Sequence, residues 1–172
     1  MRIREATVAD RDAIARIARA SFDRVYAFFA VRGMRHAWPF LVADDGSSIV
    51  GFLEGILFPG TSPIGYVYFV AVDPRARGMG SGRALVQESL RLFRSRGTDR
   101  AFAAVPRDND PSMHLFESLG FERVARRVLW QWYRWRGLLV QMRMLLAPHE
   151  VLLTRTFTDL PPASPQEVPR AS

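Results

Sequence analysis

Apolar positions along the chain alternate between two spacings, every second residue and every third to fourth, and the changes of spacing mark out the elements. Met1 to Ala6 reads as a short opening strand. Thr7-Val8-Ala9-Asp10 has the form of a capping box, and Ile14, Ile17, Ala18 and Phe22 behind it recur at helical spacing. The helical pattern runs on through residues 22–32 and breaks at Gly33. Phe40 to Ala43 and Ser48 to Phe58 read as strands around a hairpin turn at Asp44-Asp45-Gly46-Ser47. Gly65 to Val72 (GYVYFVAV) is apolar on both faces, which predicts a central strand. A helix over 83–96 follows, with Leu85, Val86, Leu90 and Phe93 turned inward and Gly97 in the terminating position. Ala101 to Val105 is another strand, and Asp110 and Pro111 open a helix that closes at Gly120. Phe121 to Tyr133 and Leu138 to Leu146 read as two last strands joined by a turn at Arg136-Gly137.

This order predicts a single-domain α/β fold over residues 1–146, a mixed sheet of about six to seven strands flanked by helices on both faces. From residue 147 prolines crowd the chain and the composition predicts a flexible tail, with Val151 to Leu160 ambiguous. No internal repeat is present. At 172 residues and 48% hydrophobic content, one sizeable core is within reach.

Composition narrows the chemistry. The chain has no cysteine, which excludes disulfides, thiolate metal sites and a cysteine nucleophile. All 24 basic residues are arginine, and the net charge of +7 suits a phosphorylated cofactor or a nucleic acid equally. Charge begins at Arg2 with no apolar leader behind it, and no run approaches the roughly 20 residues that cross a bilayer. The expectation is a soluble cytoplasmic protein.

The informative stretch is VAVDPRARGMGSGRALV, residues 70–86. Gly78, Gly80 and Gly82 stand together where a strand gives way to a helix. Glycine is costly to order, so three so close together point to backbone approaching a partner. At a helix N-terminus, unpaired N–H groups and the dipole favour an anion. A P-loop is excluded, since its lysine is absent. A dinucleotide fingerprint fails because the sixth position from Gly78 is Arg83 and from Gly80 is Leu85.

Arg77-Gly78-Met79-Gly80-Ser81-Gly82 after VAVDPRAR resembles the coenzyme A loop of the GNAT superfamily of N-acetyltransferases. Asn109-x-x-Ser112-x-x-Leu115-Phe116-x-x-x-Gly120-Phe121 is similar to that superfamily's later motif, at a spacing that suits an intervening helix and strand. Together with Arg4 to Asp10, the resemblance covers about residues 1–146. It implies acetyl-CoA as co-substrate, with no metal and no membrane partner, and direct transfer to an amine acceptor that the sequence does not name. Arg77 through Gly82, with Arg83, would hold the pyrophosphate, and Arg75 would add charge. Val70, Ala71 and Val72 would pair with the pantetheine arm, and a backbone amide near Val72 would polarise the thioester carbonyl. Asn109 and Phe116 belong to the second cofactor motif.

The sequence departs from the pattern at two catalytic positions. The tyrosine that often protonates the departing thiolate is Phe116 here, so another residue, water or unassisted departure must serve. The usual strand glutamate aligns near Tyr66, a poor base with its ordinary pKa near 10. Tyr66 and Tyr68 fall on one side of a regular strand, and either would serve as an acid. Glu54 is the best-placed carboxylate, as a base or water-positioner, and His36 lies in a loop bordering the acceptor cleft. The acceptor side is implied to be residues 24–40 and 126–137, both aromatic and arginine-rich. Phe28, Phe29 and Trp38 would complete the core, while Trp130 and Trp132 would cover a strand or a homodimer contact. A non-catalytic acyl-CoA-binding protein is the alternative. A nucleic-acid module lacks any recognised binding pattern beyond the aromatic, basic WQWYRWRG.

Overall fold

A strand with no polar face has to be covered on both sides, and GYVYFVAV sets the layout of the sheet accordingly. In the computed structural model, which describes residues 1–33, 37–144 and 146–157, it lies at the middle of seven strands. These are β1 (Arg2–Glu5), β2 (Phe40–Asp44), β3 (Ile49–Phe58), β4 (Ile64–Val72), β5 (Arg100–Pro106), β6 (Glu122–Val124) and β7 (Glu150–Thr156). They lie in the order β1-β2-β3-β4-β5-β7-β6. Only β4 and β5 run parallel; the other neighbours are antiparallel.

Helices cover both faces, as the sequence pattern predicts. They are α1 (Arg11–Ser21), α2 (Arg24–Gly33), α3 (Ser81–Ser95), α4 (Asp110–Ser118), α5 (Arg127–Tyr133) and α6 (Trp135–Met144). From α3 and α4, Leu85, Phe93, Met113 and Phe116 pack with Leu53, Val67 and Ala103. Ile14, Ile17, Ala27 and Ala30 of α1 and α2 close the opposite face over Phe52 and Phe69. Leu129, Val140 and Met144 of α5 and α6 extend that face over Tyr66, Phe102 and Leu152. The capping box forms: the Thr7 amide donates to Asp10 Oδ2 at 2.7 Å, and Arg4 grips the same carboxylate through both terminal nitrogens at 2.8 Å. Among the described residues no helix is long and apolar enough to cross a membrane.

Four expectations need correction. Residues 127–144 are helical rather than two strands. Their valines, tryptophans and tyrosine favour strands locally, yet Leu129 and Tyr133, and Val140 and Met144, are spaced four apart and reach the same cluster. The domain does not stop at residue 146, because β7 lies between β5 and β6 and pairs with both. Phe28 is 59% exposed and completes no core, whereas Trp38 does pack, edge-on to Phe93. Asn109 rather than Asp110 caps α4, its side chain accepting from Ser112 N at 3.2 Å. The side chain of Phe29, His36 and the chain beyond 157 lie outside the described residues.

Helix α3 sits close to β4 because Gly65 leaves room for a ring. A Cβ built on Gly65 would lie 2.6 Å from Phe93 Cγ, deep in the core. Gly65→Ala is expected to cost about 1–3 kcal/mol through overpacking, read as a lower denaturation midpoint at unchanged m-value.

Candidate functional site

The glycine loop is pinned at its start and open along its length. Asp73 Oδ1 accepts from Arg75 N at 3.0 Å and Oδ2 from Arg16 at 2.6 Å, while Asp73 N donates to Val50 O. These donors, the Arg75 amide first, hold the Asp73 carboxyl below its usual range. Gly78 and Gly80 then adopt φ of +79° and +82°, the left-handed region that side chains resist. Gly80 is the N-cap of α3, and its carbonyl accepts the helix's first bond from Ala84 N at 3.0 Å. The amides of Ser81, Gly82 and Arg83 therefore precede the helical ladder and have no partner in it. Arg75, Arg77 and Arg83 are exposed around them, with Arg83 donating to Ser118 Oγ at 2.8 Å and Arg77 to Val72 O at 3.4 Å.

Ahead of this loop the sheet opens. The β4–β5 ladder runs from Ile64 opposite Arg100 to Val67 opposite Ala103 and ends, although β4 continues to Val72 and β5 to Pro106. A bulge sits at the same point: Glu54 pairs with Phe69 and Gly55 with Val67, leaving Tyr68 as the extra residue. Because Asp73 N bonds β3, strand alternation turns the amides of Val72 and Val70 the other way, into the opening. Between the strands lies a cleft of about 480 Å³. Val70, Asn109 and Phe116 line it, as do Tyr26, Tyr68 and Glu150 from the opposite face of the sheet.

Glu54 faces the same side as Phe52, is fully buried, and among the described residues neither carboxylate oxygen has a hydrogen-bond partner. Burial alone pushes its pKa up to about 8. Tyr68 is half-buried, and its hydroxyl is pushed up by burial first and then by the Glu54 and Glu150 carboxylates. Tyr66 is 2% exposed and donates to Met144 O at 3.3 Å. Tyr66 and Tyr68 do share a side, with ring centroids 5.9 Å apart, but only Tyr68 lines the cleft. Phe116 is buried edge-on against Phe121. Among the described residues no cluster of His, Asp and Glu could hold a metal ion.

Residues 10–121 match the sequence model of the Acetyltransferase (GNAT) family. The chain belongs to that family. It is 42% identical over 92 residues to a mycothiol acetyltransferase of Thermomonospora curvata, covering 54% of this chain and 30% of that protein. The mycothiol acetyltransferase of Acidothermus cellulolyticus is 34% identical over 117 residues, covering 58% and 36%. The chain thus spans about a third of the length of these relatives. Among solved structures, Ard1 from Thermoplasma volcanium superposes with a TM-score of 0.69 at 25% identity, over 90% of this chain and 96% of that one. The PaiA N-acetyltransferase of Thermoplasma acidophilum, solved in complex with coenzyme A, shares the fold at a TM-score of 0.67 and 14% identity, over 91% and 98%.

Within this GNAT fold Val70, Asn109 and Phe116 line the cleft, Ala71 pairs with Phe52 of β3, and Val72 and the loop residues 77–83 follow along the chain outside the cleft lining. Tyr26, His149 and Glu150 escaped the sequence reading. Tyr26 was hidden in a helical aromatic run, and the other two fell in the stretch taken for a tail. The run VLLTRT after Glu150, apolar at Val151, Leu152 and Leu153, was the signal available for that last strand. In the structure the Tyr26 hydroxyl donates to Glu150 Oε1 at 3.2 Å and lies 3.5 Å from His149 Nε2. Burial, then the Glu150 charge, pushes Tyr26 up to about 12.

The buried carboxyl of Glu54 makes stability fall with pH. The unfolded chain loses this proton near the ordinary value of 4.5, whereas the folded chain keeps it to about 8. Across that window Glu54 destabilises the fold progressively, by at most about 1.4 kcal/mol per pH unit. Glu54→Gln is expected to melt higher than the parent at pH 8.5, with the gap closing towards pH 4.5. A gap independent of pH in calorimetric scans would contradict the assignment.

Proposed function

We propose that the chain transfers an acetyl group from acetyl-CoA to an amine acceptor by direct attack in a ternary complex. One observation carries this reading: β4 loses its β5 partner beyond Val67, lines the cleft as far as Val70, and runs on through the glycine loop to the helix-start amides of α3. The residues present fit such a carrier. Gly78 and Gly80 expose backbone where a diphosphate would be held, with Arg75, Arg77 and Arg83 at hand to add charge. The β4 edge offers main-chain donors and acceptors to an extended amide-bearing arm, as a sheet edge takes a peptide. Acetyl-CoA supplies the activated acyl group when bound.

The chain's own side chains then handle protons. The Val70 and Val72 amides, turned into the opening by the alternation that sends Asp73 N to Val50 O, would donate to the thioester carbonyl as its oxygen gains charge. Glu54 is the base: its unpaired carboxyl, protonated at neutral pH, ionises as the pH rises through about 8 and can then take a proton from an ammonium, through water. Phe116 has no proton to give, so Tyr68 Oη, at the cleft wall, is the acid. Tyr66 is left to a packing role, its hydroxyl committed to Met144 O. A non-catalytic acyl-CoA-binding protein keeps one observation in its favour, the absent hydroxyl at Phe116.

Calorimetric titration with acetyl-CoA, followed by thiol release across an amine panel, tests the reading. Binding should weaken at least about tenfold in Gly80→Asp, whose carboxylate opposes an anion at a helix start. Glu54→Gln should lower kcat/KM by about 10²–10⁴-fold and remove the limb of the pH profile centred near 8. No binding at millimolar acetyl-CoA would end the proposal; binding without release from any amine would favour the non-catalytic reading.

A further inference from the structure

The cleft carries a charge opposite to that of the chain around it. The chain's net charge is +7, with 24 arginines, yet the described residues lining the cleft include Asp23, Asp108 and Glu150 and no arginine. Glu150 is held firmly, at 8% exposure, with Oε1 accepting from the Tyr26 hydroxyl and Oε2 from Ala147 N at 2.8 Å. A carboxylate has about four lone-pair positions, so both oxygens keep room for a further donor. Arg126, the cation against the Glu150 backbone, gives its guanidinium to the carbonyls of Leu146, Ala147 and Glu150. It lines a neighbouring pocket together with Arg107 and Arg123, and Glu150 stands between that pocket and the cleft, lining both. The bonds of Arg126 fix the segment that presents Glu150 and leave the carboxylate charge uncancelled by a salt bridge among the described residues.

Aromatic rings complete the wall. Tyr68 and Phe69 lie 4.2 Å apart between centroids, and Tyr26 meets Phe69 edge-on at 6.4 Å. A carboxylate set among aromatic faces recognises organic cations, through charge-assisted hydrogen bonds and through the ring quadrupoles. An anionic or purely apolar acceptor would gain nothing from Glu150 and would have to strip water from it.

We propose that the acceptor carries a positive charge in addition to the nitrogen that is acetylated, and that Glu150 anchors this second cationic group. This specificity rests on the acetyltransferase reading for its role, but the binding it requires can be measured without turnover.

Three amines of equal length serve as probes: 1,5-diaminopentane, pentylamine and 5-aminopentanoate, differing only at the distal end. Their affinities for the CoA-saturated protein are measured by calorimetry at 50 and 500 mM NaCl. Diaminopentane should bind about tenfold or more tightly than pentylamine, aminopentanoate most weakly, and the spread should shrink at high salt. Glu150→Gln should bring the three within about twofold of one another, and Glu150→Asp should restore part of the order. Equal affinities in the parent protein, a preference for the carboxylate, or a diamine preference that survives in Glu150→Gln would each overturn the proposal. Should the variants fail to fold, the salt dependence of the parent's preference decides alone: a preference unchanged between the two salt concentrations counts against Glu150. Selective diamine binding with no acetyl-CoA-dependent thiol release would leave the cation site standing and remove the enzyme around it.

Discussion

The site depends on one interruption in the hydrogen-bond ladder. β4 and β5 pair over four residues each and then part, so the centre of the sheet holds a stretch of β4 with a neighbour on one edge only. Elsewhere such a stretch would be a liability, because unpaired strand edges recruit other chains. Here it is enclosed: α4 stands on one face, α2 on the other, and β7 carries Glu150 to its mouth. The bulge at Tyr68 belongs to the same event. An extra residue on β4 sharpens the local twist and leaves Tyr68 and Phe69 both facing the α2 side. The parting of the strands and the placing of two aromatic side chains thus have one geometric origin.

The same opening accounts for the tolerated cost at Glu54. A buried carboxyl without a hydrogen bond destabilises a fold unless it stays protonated. Leu53 next to it on β3 points into the α3 side of the core and Phe52 into the α2 side, both fully buried, so the local packing is that of an ordinary strand. An apolar residue at position 54 would satisfy that packing better. In the proposed reaction the carboxyl would be the group that loses its proton near pH 8, one layer behind the cleft wall, where Tyr68 feels its charge.

Much of this was legible in the sequence because the signals were local. GYVYFVAV announces a central strand, the capping box forms where Thr7 and Asp10 predict it, and the clustered glycines mark a helix start. Glu54 stands out as the best-placed carboxylate on the strand before GYVYFVAV. The C-terminal third was misread for an equally physical reason. Between Arg127 and Met144 the residues have strand propensity but helical spacing, and packing against Phe102 and Leu152 resolves the conflict in favour of spacing. β7 stays ambiguous in the sequence because prolines on either side of it give the segment the composition of a tail. Non-local contacts were the other blind spot: no spacing rule links Tyr26 to Glu150 across 124 positions, though their hydroxyl–carboxylate bond shapes one end of the cleft.

Charge gives the site a direction that neither composition nor fold would suggest. The loop carries Arg75, Arg77 and Arg83 and the helix-start amides, whereas the lining of the cleft includes Asp23, Asp108 and Glu150. An anionic carrier and a cationic acceptor would then enter regions of opposite potential, each repelled from the other's half. Such polarity orders the two reactants without any moving part. It also shows how a strongly basic chain would accommodate a cation: described arginines serve the loop and carbonyl groups, while the described lining of the cleft holds three carboxylates and several aromatic rings and no arginine.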